Sequence, residues 1–493
     1  MKNDTVLKGG LVVDPVNHVR KMQDVAIRDG KIVELGENLS GERVYDVSGK
    51  AVLPGVIDMH VHVTETLGGL VGYHMAAASG VTTIIDYAGP IDDIAAHVVP
   101  LGCGMNVGCL PSALPSVLGT DPSRKQVGEF LSSVLKQGAL GLKILGGHYP
   151  LTPNASRFCI EECNARKALV AWHAGSTENR SDIYGMKEAV EYAKGYRLLL
   201  AHINAYCRGN RYNYLEELRD AFQMLRDNPN IISDSHMAVD NGTSGACANG
   251  APCDNITRNC LRNFGYPQTT DGLEQAIRDG VTKVIAQVGE DNVLLEREAG
   301  LNAWKRGTTP LCVSFPANLA AVAATCIVER KPGGRDFLID LAATDGGGIP
   351  RNGLLRRLLC YYKLGYLTLE EVIYKCSIAP AQVFAMPTKG HLGVGADADI
   401  TVADLATAES VMSFASGKPI LMNGEVVGKG GTMLITPEGE AMCKKERIPY
   451  QILIPENGRF YQKEKACMET SLDKGTQRKT TENELPSLTQ CTA

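Results

Sequence analysis

The sequence lacks the features that mark membrane proteins and nucleic-acid-binding proteins. Its apolar runs are shorter than a membrane span, and no apolar segment with a small-residue cleavage site follows Met1. Lysine and arginine number 50 against 55 aspartates and glutamates, so the formal net charge is −5, with no basic face. We therefore expect a cytoplasmic protein with no nucleic-acid or membrane partner.

Cysteine, in contrast, is plentiful. The chain has 15 cysteines, an odd number, and in a large cytosolic protein this composition favours reduced thiols over a disulfide framework. Cys247, Cys253 and Cys260 lie close together, but their spacing matches no CxxC-type zinc pair. We therefore interpret this stretch as a loop that carries thiols.

The two ends of the chain share a strand-and-turn character. The first fifty residues contain short alternating strands with a hairpin signal at Asp29-Gly30, and Asn423-Gly424 repeats that signal late in the chain. A chain of 493 residues is long enough for more than one packing unit. We predict that residues 1–51 and 388–440 combine into one small β-sandwich.

Apolar, β-branched segments alternate with amphipathic stretches between these ends, over residues 52–387. Such segments are typical of parallel strands buried on both faces, and eight of them predict an α/β fold, a TIM (β/α)₈ barrel. The predicted strands are 52–63, 81–88, 105–110, 139–145, 168–174, 197–203, 230–236 and 338–345.

Two segments depart from this pattern. About a hundred residues, 237–337, separate the last two strands, far more than a usual connection, which predicts an insertion or lid on the catalytic face. Residues 471–493 are rich in threonine, lysine, glutamine and serine, which predicts a disordered tail.

His60 and His62 lie near the end of the first barrel strand. Residues two apart in a strand point to the same face, so both imidazoles enter the barrel mouth together. Neutral imidazole is a good ligand for zinc and related ions. This pair alone is also compatible with two packed or solvent-facing histidines.

Further polar side chains lie at the ends of other apolar strands: Lys143, His173, His202 and Asp345. TIM barrels place catalysis at the carboxyl ends of their strands, and buried polar groups are costly unless they are paired. We therefore predict that all six side chains converge on metal. The alternative for Lys143 is an ion pair with Asp345 or a position outside the mouth.

Several motifs, in this order, resemble the amidohydrolase superfamily over roughly residues 1–435. They are LPGVIDMHVHV, the lysine strand GLKIL, the two single-histidine strands, TDGG and GADADITVAD. The set looks like the hydantoinase, dihydropyrimidinase and dihydroorotase branch, in which the barrel lysine is carboxylated. The short interval between His173 and His202 and the long one before Asp345 look more like D-aminoacylases and isoaspartyl dipeptidases. Both branches stay open.

The resemblance implies two divalent metal ions, zinc first, with manganese, iron or cobalt as alternatives. His60, His62 and Asp345 would bind the more buried ion, and His173 and His202 the more exposed one. Lys143, as a carbamate formed with CO₂, would bridge them, since an ammonium group would repel both ions. A metal-bridged hydroxide would then attack the carbonyl carbon, with Asp345 as general base. The resemblance also implies a homo-oligomer.

Four further residues are candidates for the chemistry or for substrate binding. Tyr149 and His148 are close enough to Lys143 to donate a hydrogen bond to the oxyanion, although Tyr149 sits one position later than the tyrosine of hydantoinase-like enzymes and is equally compatible with packing. His236 and Arg351 are candidates for substrate binding, because an arginine suits a carboxylate or imide oxygen. Arg351 is also compatible with capping loop carbonyls.

These observations favour hydrolysis of an amide C–N bond in a small molecule, best a cyclic amide or imide such as a hydantoin or dihydropyrimidine. The first alternative is a linear substrate, an N-acyl-D-amino acid or a dipeptide. Lys143 argues against a deaminase of heterocycles, because the mononuclear deaminases of the superfamily use no bridging lysine. The presence of all six expected ligands argues against a catalytically inactive scaffold.

Overall fold

The structure, a computed structural model, describes residues 2–307, 311–334 and 336–462, so the predicted tail at 471–493 lies outside the described residues. The strands are β1 (Asn3–Asp14), β2 (Val19–Arg28), β3 (Lys31–Gly36), β4 (Gly41–Asp46), β5 (Ala51–Pro54), β6 (Val56–His62), β7 (Val81–Asp86), β8 (Asn106–Cys109), β9 (Gly141–Leu145), β10 (Leu169–His173), β11 (Leu198–Leu200), β12 (Ile231–Ser235), β13 (Thr243–Ser244), β14 (Cys247–Ala248), β15 (Ala251–Pro252), β16 (Lys283–Val288), β17 (Asp291–Leu295), β18 (Cys312–Ser314), β19 (Leu341–Ala342), β20 (Gly346–Gly347), β21 (Ile400–Asp404), β22 (Glu409–Ala415), β23 (Lys418–Met422), β24 (Glu425–Val426), β25 (Thr432–Ile435) and β26 (Tyr450–Ile452).

The α-helices are α1 (Gly72–Ala78), α2 (Ile91–Leu101), α3 (Pro115–Leu118), α4 (Arg124–Lys136), α5 (Pro153–Ala165), α6 (Ile183–Tyr192), α7 (Tyr214–Asp227), α8 (Asn255–Asn263), α9 (Thr270–Arg278), α10 (Arg297–Arg306), α11 (Ala320–Val328), α12 (Leu354–Lys363), α13 (Leu369–Ile373), α14 (Ala379–Val383) and α15 (Glu440–Glu446). A π-helical turn, Tyr374–Ile378, links α13 to α14. Within the described ranges, no helix has both the length and the apolarity needed to cross a membrane.

Strands from both ends of the chain form one nine-stranded sheet. Its order is β24-β23-β22-β21-β5-β1-β2-β3, and β4 pairs with β1. Both hairpin signals lie at tight turns of this sheet, where Asp29, Gly30, Asn423 and Gly424 all have positive φ, as a type I′ turn requires. The two ends therefore fold together, while their closure into a sandwich stays a prediction.

The parallel strands follow one another in the order of a TIM barrel. β6, β7 and β8 pair in sequence, as do β9, β10, β11 and β12. Between β8 and β9, the Lys143 N–H donates to the Pro111 carbonyl and the Ala113 N–H to the Lys143 carbonyl, both at 2.9 Å. Within the strand predicted at 338–345 only β19 forms, and it pairs with β12. A second short strand, β20, follows Asp345 and pairs with β6, and Asp345 separates the two in the left-handed conformation (φ 52°).

One predicted strand, 52–63, is two strands that serve different sheets. β5 pairs with β1 and β21 of the terminal sheet, whereas β6 pairs with β7 of the barrel. Gly55 separates them in a crowded place, because a Cβ there would lie 2.4 Å from Thr82 Oγ1. A continuous apolar run hides this division, since every residue of both strands is buried.

The segment around 432–435 also differs from the expected terminal unit. β25 pairs in parallel with β8 and with β26, and so extends the barrel sheet rather than the nine-stranded one. Its residues Met433, Leu434 and Ile435 are fully buried there. The apolar residues of β25 are therefore buried beside β8, next to the first three parallel strands.

Most of the segment 237–337 forms a substructure of its own. Its described part contains an antiparallel sheet, β13-β18-β16-β17, the β14-β15 hairpin and helices α8 to α10 around a separate hydrophobic core. Helix α11 instead contacts α7 and β12, as a barrel helix does. Cys247, Cys253 and Cys260, which lie in this segment, are free thiols.

A buried lysine explains the first two aspartates of the GADADITVAD motif, Asp397 and Asp399. The Lys389 ammonium lies 3.0 Å from Asp397 and 2.6 Å from Asp399, and only 1% of its side chain is exposed. Burial alone would lower the pKa of Lys389, but the two carboxylates outweigh it and raise that pKa. Asp399 also accepts a hydrogen bond from Asn106 of β8 at 2.9 Å, so the cluster joins the terminal sheet to the barrel.

We expect Lys389→Ala to lower the free energy of unfolding by about 3–5 kcal/mol, because it removes the buried cation of Asp399 and leaves Asp397 with Lys31 alone. Urea denaturation followed by circular dichroism measures this change. Lys445→Ala is the matched control, since its ion pair with Glu446 is exposed and its removal should leave stability unchanged. Equal stability of the Lys389 variant and the wild type would contradict the structural role.

Candidate metal centre

Two histidines of β6 meet the aspartate that follows β19. His62 Nε2 lies 2.8 Å from Asp345 Oδ1, and His60 Nε2 lies 3.3 Å from the same oxygen. Burial raises the pKa of Asp345, but the nearby Arg351 and His60 outweigh it and lower that pKa well below the ordinary carboxyl value. The carboxylate is therefore anionic and faces both imidazoles.

His173 at the end of β10 and His202 after β11 extend this cluster. Their rings are 4.5 Å apart, and the His202 ring stacks on His60 at 5.3 Å. Burial lowers the pKa of His60, His173 and His202 well below the usual imidazole value. The rings are thus neutral, which is the form that binds metal ions.

Lys143 of β9 is fully buried, and its charge is close enough to lower the pKa of His60, His173 and His202. Its Nζ lies 4.6 Å from the centre of the Tyr87 ring and, in the part of the chain that the structure describes, has no hydrogen-bond partner. Burial lowers the pKa of Lys143 to about 8, against the opposing effect of Asp234 and Asp345. The described ion pairs of Asp345 are with His60, His62 and Arg351, so the alternative pairing of Lys143 with Asp345 is not found.

Sequence reasoning missed Asp234, which belongs to the same cluster. From β12, its Oδ1 accepts a hydrogen bond from the His202 N–H at 3.1 Å, and its Oδ2 lies 3.5 Å from His60 Nδ1. Burial raises the pKa of Asp234 to about 7. The pattern that identified the other candidate ligands also applies to Asp234, because it is a polar residue near the end of an apolar strand.

Asp58 positions the backbone before Asp345. Its two oxygens accept hydrogen bonds from the Thr344 N–H at 3.1 Å and the Thr344 hydroxyl at 2.6 Å. Burial raises the pKa of Asp58 to about 7. The first and eighth strands are thereby locked together two residues before His60.

His148, a candidate donor, is oriented by the insertion. Its Nδ1 lies 2.9 Å from Oδ2 of Asp254, both residues are buried, and the His148 ring lies 4.9 Å from that of His173. Asp254 also caps α8 by accepting from the Ile256 N–H at 2.7 Å. Sequence reasoning missed Asp254, because no periodicity relates it to a residue 106 positions away.

Tyr149 lies farther from the centre than its neighbour. It is half-buried, and burial raises the pKa of its hydroxyl well above the usual value, an effect that Asp254 reinforces and a hydrogen bond with Ser244 opposes. A small cavity of about 20 Å³ lies at the cluster, and its lining includes His148 but not Tyr149. The neighbouring histidine is therefore the better placed donor.

The two predicted substrate-binding residues, His236 and Arg351, line the same cavity. Both already contact other protein groups. His236 is buried against Asn204, with His236 Nε2 3.4 Å from the Asn204 amide nitrogen. Arg351 forms an ion pair with Oδ2 of Asp345 and donates to the Asp240 carbonyl at 3.0 Å. Its guanidinium therefore reaches a substrate only if it releases part of this network.

The donor set fits divalent cations. One ligand atom each from His60, His202 and Asp345 lies within 4.8 Å of the others. Nδ1 of His60, His62 and His202 also has no hydrogen-bond partner among the described residues. Buried polar atoms are costly without partners, and a bound cation would supply them for neutral imidazoles and an anionic carboxylate.

The chain is similar to proteins of known activity over much of its length. A dihydroorotase of Macrococcus caseolyticus is 25% identical over 460 residues, which are 88% of this chain and 97% of that protein. An allantoinase of Enterococcus faecalis is 28% identical over 250 residues, 41% of this chain, so the chain matches only about half (54%) of that relative.

Solved structures agree on the fold. A D-aminoacylase matches with a TM-score of 0.62 and 17% identity, covering 88% of this chain and 99% of that one. A D-hydantoinase matches with a TM-score of 0.56 and 17% identity, covering 87% and 98%. The model of the amidohydrolase family matches residues 51–427, which include every candidate ligand. The chain belongs to the amidohydrolase family.

Proposed function

We propose that the chain hydrolyses an amide C–N bond of a small molecule, with a cyclic amide or imide of the hydantoin or dihydropyrimidine kind as its substrate. The observation that carries this proposal is the convergence of neutral imidazoles, a buried lysine and an anionic aspartate where parallel strands end. We also infer that the eight strands close into one barrel, because β19 and β20 pair with β12 and β6.

The ligand set supports two metal ions, with zinc as the first choice. His60, His62 and Asp345 would hold one ion, and His173 and His202 the other. Lys143, as a carbamate, would bridge them, and its buried Nζ without a described partner is compatible with that modification. Bound divalent ions supply Lewis acidity toward a carbonyl oxygen and make water a better nucleophile.

Asp345 would act as the general base and return the proton to the leaving nitrogen. Asp58 and Thr344 set its backbone, so its carboxylate has a defined direction. Arg351 binds Oδ2 and weakens this base. A substrate oxygen that attracts the guanidinium would free the carboxylate, and substrate binding would thereby raise its basicity.

His148 would assist at the substrate carbonyl or at the leaving group. The Asp254 carboxylate accepts a hydrogen bond from Nδ1 of His148. The other ring nitrogen, Nε2, is then available to a substrate. A carboxylate that orients an imidazole in this way is a recurrent arrangement at catalytic sites. His236, on the same cavity, would contact substrate.

A linear substrate, such as an N-acyl-D-amino acid or a dipeptide, is the second candidate. The long interval before Asp345, which resembles that of D-aminoacylases, supports it. The insertion in this interval also supplies Asp254 and part of the cavity wall, as Asn241 and Ile256 line the cavity. Turnover of hydantoin and dihydrouracil, measured beside N-acetyl-D-alanine, separates the two substrate classes.

Metal content tests the ligand set. We expect about two zinc ions per chain in the wild type after zinc loading, and loss of about one or more in His60→Ala and Lys143→Ala, because each removes a ligand. Inductively coupled plasma mass spectrometry gives the stoichiometry. His18→Asn changes an exposed histidine and should leave the content unchanged. Wild-type protein without bound metal would contradict the proposal.

The general base is tested by Asp345→Asn. We expect kcat to fall about a hundredfold or more on whichever amide is turned over, because the amide side chain cannot accept the proton. Steady-state assays with metal content measured in parallel give the comparison. Asp227→Asn alters an exposed aspartate as the control. Full activity of the Asp345 variant would refute this role.

Asp254→Asn tests the orientation of His148. Asparagine still caps α8, so the variant should fold, while the loss of charge toward His148 should lower kcat about tenfold with metal content kept. Asp271→Asn, an exposed change at the start of α9, is the control within the same insertion. Unchanged kcat would mean that the pair serves only the packing of the insertion.

A further inference from the structure

A second cavity, of about 290 Å³, adjoins the candidate metal centre. It lies between the loops that follow β10 and β11 and helix α8 of the insertion. Ile256 and Arg208 line both this cavity and the one at the metal centre. Ser181, also on its wall, forms a 2.7 Å hydrogen bond with His173 Nε2. A ligand in this cavity is therefore next to the reacting centre.

Three arginines line this cavity, which we call the arginine pocket: Arg180, Arg208 and Arg262. Arg208 donates to Asn318 Oδ1 at 2.9 and 2.7 Å, and Arg262 donates to Asn259 Oδ1. Neither forms an ion pair with a carboxylate in the described ranges, and the exposed Arg180 has no side-chain partner there. The three charges are thus not neutralised by the protein around them.

The carboxylate on this wall, Asp182, already has its partners within the protein. Asp182 forms an ion pair with Arg211 at 2.7 Å and caps α6 by accepting from the N–H groups of Tyr184 and Gly185. Burial lowers the pKa of Arg262, and the nearby like charges of Arg180 and Arg211 lower it further. An anion in the pocket would offset these like charges.

The other walls suit a small organic molecule. Asn210, Asn259 and Asn263 contribute amide groups, while Phe264 and Leu319 contribute apolar surface. A volume near 300 Å³ is at the lower end of ligand pockets. Planar guanidinium groups pair with the two oxygens of a carboxylate or phosphate.

We propose that the arginine pocket binds an oxyanion group, a carboxylate or a phosphate, on the substrate whose amide bond lies at the metal centre. This inference rests on the proposed function and narrows it, because an unsubstituted neutral ring would leave the three arginines without an anionic partner. The substrate is then an amide with an acidic arm, and the pocket selects it by charge while the metal centre cleaves it.

Binding to the zinc-loaded full chain tests the pocket. The probes are a hydantoin with a carboxyethyl arm, the same hydantoin with an uncharged carboxamide arm, and inorganic phosphate, each titrated by calorimetry. We expect the wild type to bind the carboxylate at least about tenfold more tightly than the carboxamide, because charge-assisted hydrogen bonds form with the first only. Raised salt should reduce this preference.

Arginine variants test whether the preference for the carboxylate probe arises in the arginine pocket. Arg180→Ala, Arg180→Glu and Arg262→Ala should each remove most of it, whereas Arg219→Ala, an exposed arginine of α7 outside the pocket, should retain it. Arg208 stays unchanged because it also lines the metal centre. Displacement of the carboxylate by phosphate would identify a phosphate arm, and lack of displacement a carboxylate arm. Equal wild-type affinity for both hydantoins, or a preference that survives in Arg180→Glu, would overturn the inference.

Hydrolysis of the same two hydantoins keeps this inference separate from the proposed function. If neither is hydrolysed but the arginine-dependent preference is present, the proposed activity on cyclic amides fails and the oxyanion site stands. If both are hydrolysed with equal kcat/KM and bind equally, the activity stands and the oxyanion site fails.

Discussion

The burial of neutral imidazoles around one anionic carboxylate is the constraint on which the rest of this structure depends. Asp345 faces His60 and His62 in a buried place, and burial lowers the pKa of His60, His173 and His202 well below the usual imidazole value. Several ring nitrogens there have no described protein partner, which is unfavourable in a protein interior. The cluster therefore has the composition of a cation-binding site rather than that of a packed core.

Aspartates outside the predicted ligand set provide the support that this site needs. Asp58 fixes the turn before Asp345, Asp234 holds the backbone of His202, and Asp254 orients His148. Each carboxylate accepts a hydrogen bond that fixes the orientation of its partner. A metal centre requires such orientation, because ligands that rotate freely lose affinity for the ion.

The order of the parallel strands and most residues of the candidate metal centre can be predicted from local sequence patterns. The division at Gly55 and the role of Asp254 depend on contacts between residues far apart in the sequence. His60 and His62 share a face because a strand repeats every two residues, the strand end identifies His173, and Lys143 is a charged residue within an otherwise apolar strand. The division at Gly55 escaped prediction because one apolar run is buried in two different sheets. Asp254 escaped because its partner lies on another element, and pairings across such distances have no periodic signature.

The insertion between the seventh and eighth strands has a consequence for how this enzyme type diversifies. One segment carries Asp254, which orients His148, and Arg262, which lines the neighbouring arginine pocket. The proposed catalytic support and charge selection would therefore reside on a single module that is anchored to the parallel strands. Replacement of that module in a related chain would alter both properties in one event, without a change in any metal ligand.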